Sequence, residues 1–275
     1  MVQLNSLKPL LESIENPVLG LDAYGVIYND KGFFDTLPQV FDYCKQHAIP
    51  IMMLTNNATQ SVDIIFNKMK QFKLDLPKKN IVSSGCGLYD LVHLKSIVKN
   101  KNIYVYGYDS SKQYVIDAGG FCVDYPNKAD VIVMAASVGS KNHITYRQVF
   151  LTLKNKPHLP VICVNPDFYV YNSNGFLPVM GFYAHQMANQ LDRDDFIWMG
   201  KPFKSFSELV KTRLKQLNYT SSKLVFCDDN PLNVRQLTKD IGCKGVVITQ
   251  TGIFNKVSVD HDSLSDLYKL LKCKI

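Results

Sequence analysis

Several features that define common protein classes are missing from this 275-residue sequence. No run of about 18 apolar residues occurs, which excludes a membrane-spanning helix of the usual kind. The first residues, MVQLNSLKPLLESIENP, include acids and lack the basic start and long apolar stretch of a signal peptide. We therefore predict a cytoplasmic protein that does not act at a membrane.

The cysteines show no metal-binding pattern. Seven are scattered along the chain, without a CxxC pair and without a cluster of cysteine and histidine, which argues against a zinc site. Several lie in apolar runs such as VICVN and LVFCD. This placement predicts free, mostly buried thiols in a reducing compartment.

The charge balance does not indicate a nucleic-acid partner. Lysine and arginine number 31 against 24 acidic residues, a formal charge of +7, but the excess is spread along the chain. The densest lysine groups, KQFKLDLPKK and KSIVKNK, do not interleave aromatic residues as a groove for single-stranded nucleic acid does. A solvated basic surface is the simpler interpretation, and no nucleic-acid binding is predicted.

The first part of the chain has the pattern of a parallel sheet covered by helices. The short apolar runs NPVLGL and IPIMMLTNN are typical of buried strands and end at Asp22 and Thr55. Each is followed by a segment with helical apolar spacing, FDTLPQVFDYCKQHA and SVDIIFNKMKQF. This βαβα order predicts an α/β fold.

From about Lys101 the character changes to four short strand-like runs, NIYVYGYD, GFCVDY, ADVIVMAAS and LPVICVNPD, with two helical stretches among them. The chain then returns to longer helices, to a strand ending in CDD, to the strand KGVVITQTG and to a final helix over SLSDLYKLLK. This pattern predicts one α/β core interrupted by a smaller inserted α/β unit.

Four short segments carry groups suited to phosphate chemistry: LDAYG, LTNNATQS, MGKP and VFCDDN. Three of them end predicted strands, so Asp22, Thr55 and Asp228 are expected at one crevice of the sheet, and Lys201 belongs to the fourth. Each has a simpler interpretation as a helix cap or a helix-opening turn. Together, however, two acids, a hydroxyl and an ammonium are the groups that phosphoryl transfer needs.

The order of these segments resembles the haloacid dehalogenase superfamily, and within it the class IIA phosphatases similar to N-acetylglucosamine-phosphate and para-nitrophenyl-phosphate phosphatases. DxxGV, TNNxxxS, an SG turn, NPD, GxxPxxG, GKP and a strand ending in DD follow one another over nearly the whole chain. The resemblance implies a Rossmann-like parallel-sheet core from residues 1–84 and 187–275. It implies an inserted α/β cap domain at residues 85–186.

The resemblance also implies roles for individual residues. Asp22 would be the nucleophile that forms an aspartyl-phosphate, and Thr55 and Lys201 would hold the phosphoryl group. Mg²⁺ would be bound by the carboxylate of Asp22, the backbone carbonyl of Tyr24 and the carboxylate of Asp228.

Further residues of the same motifs would contact the substrate. Asn56 and Asn57 would lie beside the phosphate, and Asn165 and Asp167 belong to the cap segment nearest the active site. The implied partner is a small phosphorylated metabolite, and a homo-oligomer formed through the cap is a further expectation.

Two departures from the family pattern affect the expected chemistry. Tyr24 stands where family phosphatases carry a second Asp, the residue that protonates the leaving group and then activates water. A phenol titrates near pH 10, so it can donate a proton but is a poor base at neutral pH. Cys227 and Asn233 replace a Gly and an Asp of the fourth motif, and Asp229 could supply the missing charge.

Two functional hypotheses therefore stand beside each other. The first is a slow Mg²⁺-dependent phosphatase. The second is a catalytically weakened relative that binds a phosphorylated ligand or a protein partner in the crevice under its cap. A true haloacid dehalogenase also has a Tyr after its nucleophile, but the spacing from Asp22 to Thr55 leaves no room for the dehalogenase cap, and the pair Asp228 and Asp229 is not needed there.

Overall fold

The computed structural model of the chain describes residues 7–172, 175–248 and 262–264. Within these residues no helix has the length and apolar character needed to cross a bilayer. The helices are α1 (Lys8–Glu12), α2 (Leu37–Gln46), α3 (Val62–Gln71), α4 (Gly87–Asp90), α5 (Val92–Val98), α6 (Lys112–Asp117), α7 (Asn142–Asn155), α8 (Met180–Gln190), α9 (Lys204–Gln216) and α10 (Pro231–Ile241). The strands are β1 (Val18–Leu21), β2 (Tyr28–Asn29), β3 (Gly32–Phe33), β4 (Ile51–Thr55), β5 (Ile81–Ser83), β6 (Asn102–Tyr106), β7 (Phe121–Cys122), β8 (Val131–Met134), β9 (Val161–Cys163), β10 (Tyr169–Asn172), β11 (Gly175–Pro178), β12 (Ile197–Trp198), β13 (Leu224–Asp228), β14 (Lys244–Ile248) and β15 (Asp262–Leu264).

A six-stranded sheet positions the predicted site. Its described strands run in the order β15-β14-β13-β1-β4-β5, and every neighbouring pair is parallel. Strand β1 lies between β13 and β4, with Leu21 opposite both Cys227 and Met53. The strands β1, β4 and β13 are buried along their whole length, as their continuous apolar runs predict for a parallel sheet.

Local sequence signals set the bounds of α10, the helix that follows β13. The Asn230 side chain accepts a hydrogen bond from the Leu232 amide, and Pro231 is the first helical residue, where its missing N–H costs nothing. At the other end the chain leaves the helix at Gly242, which has a left-handed backbone conformation (φ +71°). The helix is therefore held directly behind the acidic end of β13.

A second parallel sheet, β12-β9-β8-β6-β7, and the antiparallel hairpin β10–β11 come from the middle of the chain. Two parallel sheets flanked by helices confirm the predicted α/β class. The division into a core and a cap stays a prediction. Strand β12 hydrogen-bonds into the second sheet although the prediction assigns residues 187–275 to the core.

Apolar packing joins the two sheets. One buried cluster includes Leu54 and Phe226 of the first sheet together with Val105 and Val133 of the second. Two further clusters cover the outer faces, one beneath α2 and α3 and one beneath α7 and α8. Because a single apolar cluster spans both sheets, the segment between β5 and α8 is packed against the first sheet.

Two local predictions differ from the structure. The predicted final helix is wrong at Ser263 and Leu264, which belong to strand β15 beside β14, and its remaining residues lie outside the described part. The open edge of β14 offers backbone hydrogen-bond partners that the helical spacing of the sequence does not reveal. The hairpin β10–β11 was not predicted, because its residues lack a clear two-residue alternation.

Candidate active site

Three of the predicted residues meet at the carboxyl edge of the first sheet. Asp22 directly follows β1, and its amide donates to the Cys227 carbonyl of β13 over 2.9 Å. Thr55 is the last residue of β4 and Asp228 is the last residue of β13. All three side chains are buried or nearly so, and Asp22 and Thr55 line one crevice. The strand ends thus converge as the sequence predicts.

Lys201 reaches this edge from the loop between β12 and α9 and is only 3% exposed. Its ammonium group donates to Asp22 Oδ1 (2.5 Å), to Asp228 Oδ2 (2.7 Å) and to the Leu54 carbonyl (2.9 Å). Three acceptors use all three of its N–H groups. The lysine is therefore a fixed positive charge between two carboxylates.

Asp228 has hydrogen bonds on both of its oxygens. Oδ1 accepts from the Asn230 amide over 2.8 Å, and the Asn233 side chain lies 3.2 Å from each oxygen and donates to them. Asn233, the residue at the place of a family Asp, thus serves as a donor to Asp228. An Asp at this position would instead place a second negative charge against Asp228.

Asp229 is the third acid at this edge, and its carboxylate lies close to the turn that follows Asp22. A Cβ atom at Gly25 would lie 2.7 Å from Asp229 Oδ2, and Gly25 has a positive φ of 87°. Both facts require glycine in the turn after Asp22. The DAYG segment therefore brings the acids of two different strands together.

Burial and neighbouring charges determine the protonation of the central pair. Burial raises the pKa of Asp22 to about 7, against the lowering effect of the Lys201 ammonium, and the charge of Asp228 adds to the rise. Burial disfavours the charge of Lys201, but Asp22 and Asp228 outweigh it and raise the pKa of the lysine. Burial also raises the pKa of Asp167.

The acidic group fits a hard divalent cation. One carboxylate oxygen from each of Asp22, Asp228 and Asp229 lies within 4.8 Å of the others. These ligands are all oxygen, which suits Mg²⁺ better than a softer ion. Lys201 balances only one of three acidic charges when all are ionised, so a cation of charge two would complete the balance. The predicted carbonyl ligand, Tyr24, directly precedes the Gly25 turn.

Asn56 joins the strand edge to two distant segments. Its side-chain NH₂ donates to Asp167 Oδ1 and to the Lys201 carbonyl, both over 2.8 Å, and its Oδ1 accepts from the Lys201 amide over 2.7 Å. A Cβ at Gly200 would lie 2.8 Å from the same oxygen, so glycine is required in GKP as well. Asn56 therefore holds the Lys201 backbone, a role that the prediction of a phosphate contact did not include.

The remaining predicted substrate residues also line the crevice. The side-chain Oδ1 of Asn57 accepts hydrogen bonds from the backbone amide and the hydroxyl of Thr59. The backbone amide of Asn57 donates to Thr55 Oγ1 over 3.1 Å. Asn165 is buried, and its Oδ1 has no hydrogen-bond partner among the described residues. Asn233 Oδ1 in the same crevice likewise has no partner among the described residues, so a ligand could pair either acceptor.

Tyr24 is accompanied by a second phenol, Tyr28, which the sequence prediction missed. The rings meet edge to face with centroids 6.1 Å apart, and the Tyr28 hydroxyl lies 3.4 Å from the Asn57 side-chain nitrogen. Burial, followed by the charge of Asp30, raises the pKa of Tyr24 above its usual value. A raised pKa makes Tyr24 still less able to act as a base at neutral pH.

The crevice measures about 850 Å³, within the range of small-molecule sites. Beyond the predicted residues it is lined by aromatic and apolar side chains from the hairpin and the loops around it. Those missed by the sequence prediction include Phe168, Tyr169, Phe176, Val179, Phe203 and Leu232. A weak signal was available, because Phe168 directly follows NPD and Phe203 directly follows GKP.

Part of the chain is similar in sequence to known hydrolases. Residues 19–121 match the family described as haloacid dehalogenase-like hydrolase. An acid sugar phosphatase from Staphylococcus haemolyticus is 25% identical over 162 residues, which are 58% of this chain and 59% of the relative. One from Staphylococcus aureus MRSA252 is 24% identical over 58% of this chain and 60% of its own length. The match thus spans about three fifths of the length of these relatives.

Solved structures share the fold. A p-nitrophenyl phosphatase from Archaeoglobus fulgidus superposes with a TM-score of 0.78 at 17% identity, over 94% of this chain and 100% of that one. A 4-nitrophenylphosphatase from Thermotoga maritima gives 0.79 at 18% identity, over 96% and 98%. A chain described as a possible sugar phosphatase from Cytophaga hutchinsonii gives 0.79 at 20% identity, over 97% and 98%. The match over residues 19–121 bears out the resemblance to haloacid dehalogenase-like hydrolases, and the solved structures show the same fold over nearly the whole chain.

Proposed function

From this confirmed resemblance and the geometry of the crevice, we propose that the chain is a Mg²⁺-dependent phosphohydrolase acting on a small phosphorylated metabolite. The observation that carries the proposal is the contact of Lys201 with both Asp22 and Asp228 at the ends of two adjacent strands. Phosphoryl transfer depends on charges held in place around the reacting phosphorus. The relatives described as phosphatases support the same reaction class.

In the proposed reaction a carboxylate oxygen of Asp22 attacks the phosphorus, and the bond from phosphorus to the ester oxygen breaks. The departing alkoxide takes a proton from the hydroxyl of Tyr24, the residue at the place of the family's proton-donating Asp. Water then attacks the phosphorus of the aspartyl-phosphate, and the bond to Asp22 breaks. Inorganic phosphate leaves, the Asp22 carboxylate is regenerated, and a proton of the attacking water returns to the Tyr24 oxygen, which restores the hydroxyl.

The other residues bind and orient the phosphoryl group. Thr55 offers its hydroxyl, and Lys201 acts through its charge, because its N–H groups are already engaged. Asp22, Asp228 and Asp229 would hold Mg²⁺ together with the Tyr24 carbonyl. When bound there, the ion would supply positive charge to the phosphoryl oxygens.

The middle of the chain is proposed as a cap over this site. We propose that residues 85–186 form the cap and that residues 1–84 and 187–275 form the core, with a homo-oligomer through the cap as a further part of the proposal. The support is the second parallel sheet and the position of the hairpin β10–β11, whose residues line the crevice above the strand ends.

A direct test compares the wild type with Asp22→Asn in a phosphatase assay with Mg²⁺ and p-nitrophenyl phosphate. We expect slow turnover by the wild type and its loss in the variant, since an amide is not a nucleophile towards phosphorus. Circular dichroism and thermal unfolding check that both proteins are folded. Equal activity in the two folded proteins, or none in the wild type, would contradict the hydrolase.

One observation favours a second function, the binding of a phosphorylated ligand or a protein partner without turnover. Tyr24 replaces the expected acid, and general acid–base help is worth about 10²–10⁴-fold in rate. Both functions use the same crevice. They differ in whether ligand binding persists in the wild type without release of inorganic phosphate, which a colorimetric phosphate assay measures.

A further inference from the structure

The loop after β9 presents a buried hydrogen-bond acceptor to the crevice. Asn165 lines the crevice, is only 8% exposed, and its Oδ1 has no hydrogen-bond partner among the described residues. The other unpaired acceptor, Asn233 Oδ1, belongs to a side chain that donates to Asp228 at the strand ends. A buried acceptor without a partner costs free energy, so a donor on a bound ligand would remove this cost at Asn165.

Asp167, two residues further along the same loop, is a carboxylate without a basic partner. Its Oδ1 accepts from the neutral side chain of Asn56 over 2.8 Å, and it forms no ion pair with a described residue. The ammonium of Lys201 already donates to three other acceptors. Burial raises the pKa of Asp167, so a cation bound beside it would stabilise its charged form.

The charge of the crevice favours a cationic ligand group. Asp22, Asp167 and Asp229 line it, and among the described residues that do so Lys201 is the one basic side chain. A divalent ion held by the acids at the strand ends would leave the charge of Asp167 uncompensated. A second anionic group on a substrate would be repelled there, whereas a cationic group would be attracted.

Aromatic rings lie in the same part of the crevice. Phe168 directly follows Asp167, and Phe168, Tyr169 and Phe176 are all exposed residues that line the crevice. The face of an aromatic ring attracts an ammonium group within about 6 Å of its centroid. Tyr169 and Phe176 contact each other edge to face at 6.3 Å between centroids, which orders these rings before a ligand enters.

We propose that the crevice selects phosphate monoesters of short amino alcohols, with the phosphate at the strand ends and the ammonium group between Asn165 Oδ1, the Asp167 carboxylate and the neighbouring aromatic rings. An ammonium carries three N–H donors and no acceptor, which matches two oxygen acceptors and a ring face. The hydrolysis of such esters rests on the proposed phosphohydrolase function, whereas their preferential binding does not. This class differs from the sugar phosphates and nitrophenyl phosphates in the names of the relatives.

Phosphonates measure binding without hydrolysis, because the proposed reaction does not cleave their carbon–phosphorus bond. Isothermal titration calorimetry of the wild type with Mg²⁺ would compare aminopropylphosphonate, butylphosphonate and phosphonopropionate, which have the same length and end in an ammonium, a methyl group and a carboxylate. We expect aminopropylphosphonate to bind roughly tenfold more tightly than butylphosphonate, since a hydrogen bond to a charged group contributes about this factor. Phosphonopropionate is expected to bind more weakly than butylphosphonate.

Two variants locate the effect. Asp167→Asn keeps an acceptor for Asn56 and removes the charge, so it should weaken aminopropylphosphonate roughly tenfold and leave butylphosphonate unchanged. Asn165→Leu removes the unpaired acceptor at similar volume and should weaken aminopropylphosphonate roughly threefold. Asp124→Asn is the matched control, because Asp124 is an exposed acid outside the crevice. Equal binding of methylphosphonate by all these proteins shows that the strand ends are intact.

The outcomes decide the two proposals separately. Binding of aminopropylphosphonate no tighter than that of butylphosphonate, or an unchanged preference in Asp167→Asn, would overturn the inference, whether or not Asn165→Leu folds. Preference for the ammonium in a wild type that releases no phosphate from phosphoethanolamine or p-nitrophenyl phosphate would support the inference and overturn the phosphohydrolase. Release of phosphate that is lost in Asp22→Asn, without this preference, would support the phosphohydrolase and overturn the inference.

Discussion

At the strand-end side of the crevice, called the floor here, Lys201 is 3% exposed and its partner Asp228 is fully buried. On the side lined by Phe168, Tyr169, Phe176, Val179 and Phe203, called the aromatic wall here, Phe176 is 59% exposed. The floor groups have hydrogen-bonded partners of opposite charge, and the wall residues contact mainly other rings. Removing a charged floor group leaves a buried charge without its partner, while truncating a half-exposed ring such as Phe176 removes contacts with other rings. Substitutions in the floor are therefore expected to destabilise the fold, whereas substitutions in the wall can alter which ligand binds at little cost to the fold.

The largest expected effect comes from breaking the floor with Lys201→Met. Asp22 and Asp228 would lose their shared counter-charge, and breaking such a buried pair costs about 3–5 kcal/mol of unfolding free energy. Turnover should be lost as well. Urea unfolding at pH 7.5 without Mg²⁺ measures the first effect.

The matched control for Lys201→Met is Lys204→Met, an exposed lysine at the start of α9. Its expected change is within about 0.5 kcal/mol, as for other surface substitutions. If the two variants were equally stable, Lys201 would not be compensating the negative charges of the acids in the floor.

A pH series tests the protonation of the floor. The folded pKa of Asp22, about 7, lies above its ordinary 3.8, so between these values the folded state binds a proton that the unfolded state does not. The contribution of Asp22 to stability is therefore lost as pH rises towards 7 and changes no further above it. As the pH rises across this range, the free energy of unfolding of Asp22→Asn should increase relative to that of the wild type by up to a few kcal/mol. Urea unfolding without Mg²⁺ measures this difference. A difference that stays constant from pH 4 to 8 would contradict the raised pKa.

Tyr24→Asp sharpens the comparison by restoring the acid at the boundary between floor and wall. We expect turnover of an alkyl ester such as glycerol phosphate to rise about tenfold or more, within the usual range of acid–base catalysis. Alkyl esters show the effect best, since their alcohols need a proton to leave. Steady-state rates of phosphate release give the measurement.

Tyr24→Phe is the control, because it keeps the ring and removes the hydroxyl. Its turnover should fall below that of the wild type if the phenol donates a proton. Should Tyr24→Asp be folded and still bind Mg²⁺ without any gain in rate, the ligand-binding function would be favoured instead.

The smallest expected effect concerns Mg²⁺. At a concentration about five times its dissociation constant, an ion bound only by the folded protein adds about 1 kcal/mol of stability. Asp228→Asn should remove this increment, because it takes away one carboxylate of the acidic group. Thermal unfolding with and without Mg²⁺ measures it, and an unchanged increment in the variant would place the ion elsewhere.

Much of the floor could be predicted because its residues sit at strand ends. Asp22, Thr55 and Asp228 each close an apolar run, and parallel strands bring their carboxyl ends to one edge. The role of Asn56 could not be predicted in the same way. Its partners are Asp167 and Lys201, more than a hundred residues away, and no local pattern encodes such a contact.

The aromatic wall was missed for a related reason. Phe176 belongs to a hairpin and Phe203 to the loop before α9, so they come from different segments and neither shows a regular apolar spacing. The local pattern assigned Ser263 and Leu264 to a helix, but pairing with the edge of β14 outweighed that pattern and placed them in β15. In both cases a contact distant in sequence decided the outcome.

The sequence by itself determined the α/β class, the strands β1, β4, β13 and β14 of the first sheet and the identity of the polar groups at the ends of three of them. These follow from apolar periodicity and from turn residues, which act over a few positions. Only the tertiary structure decided that Lys201 bridges Asp22 and Asp228, and that the rings of the hairpin face this charged floor across one crevice. Such contacts depend on how separate segments pack together, and packing is set by the shape and burial of side chains far apart in the chain.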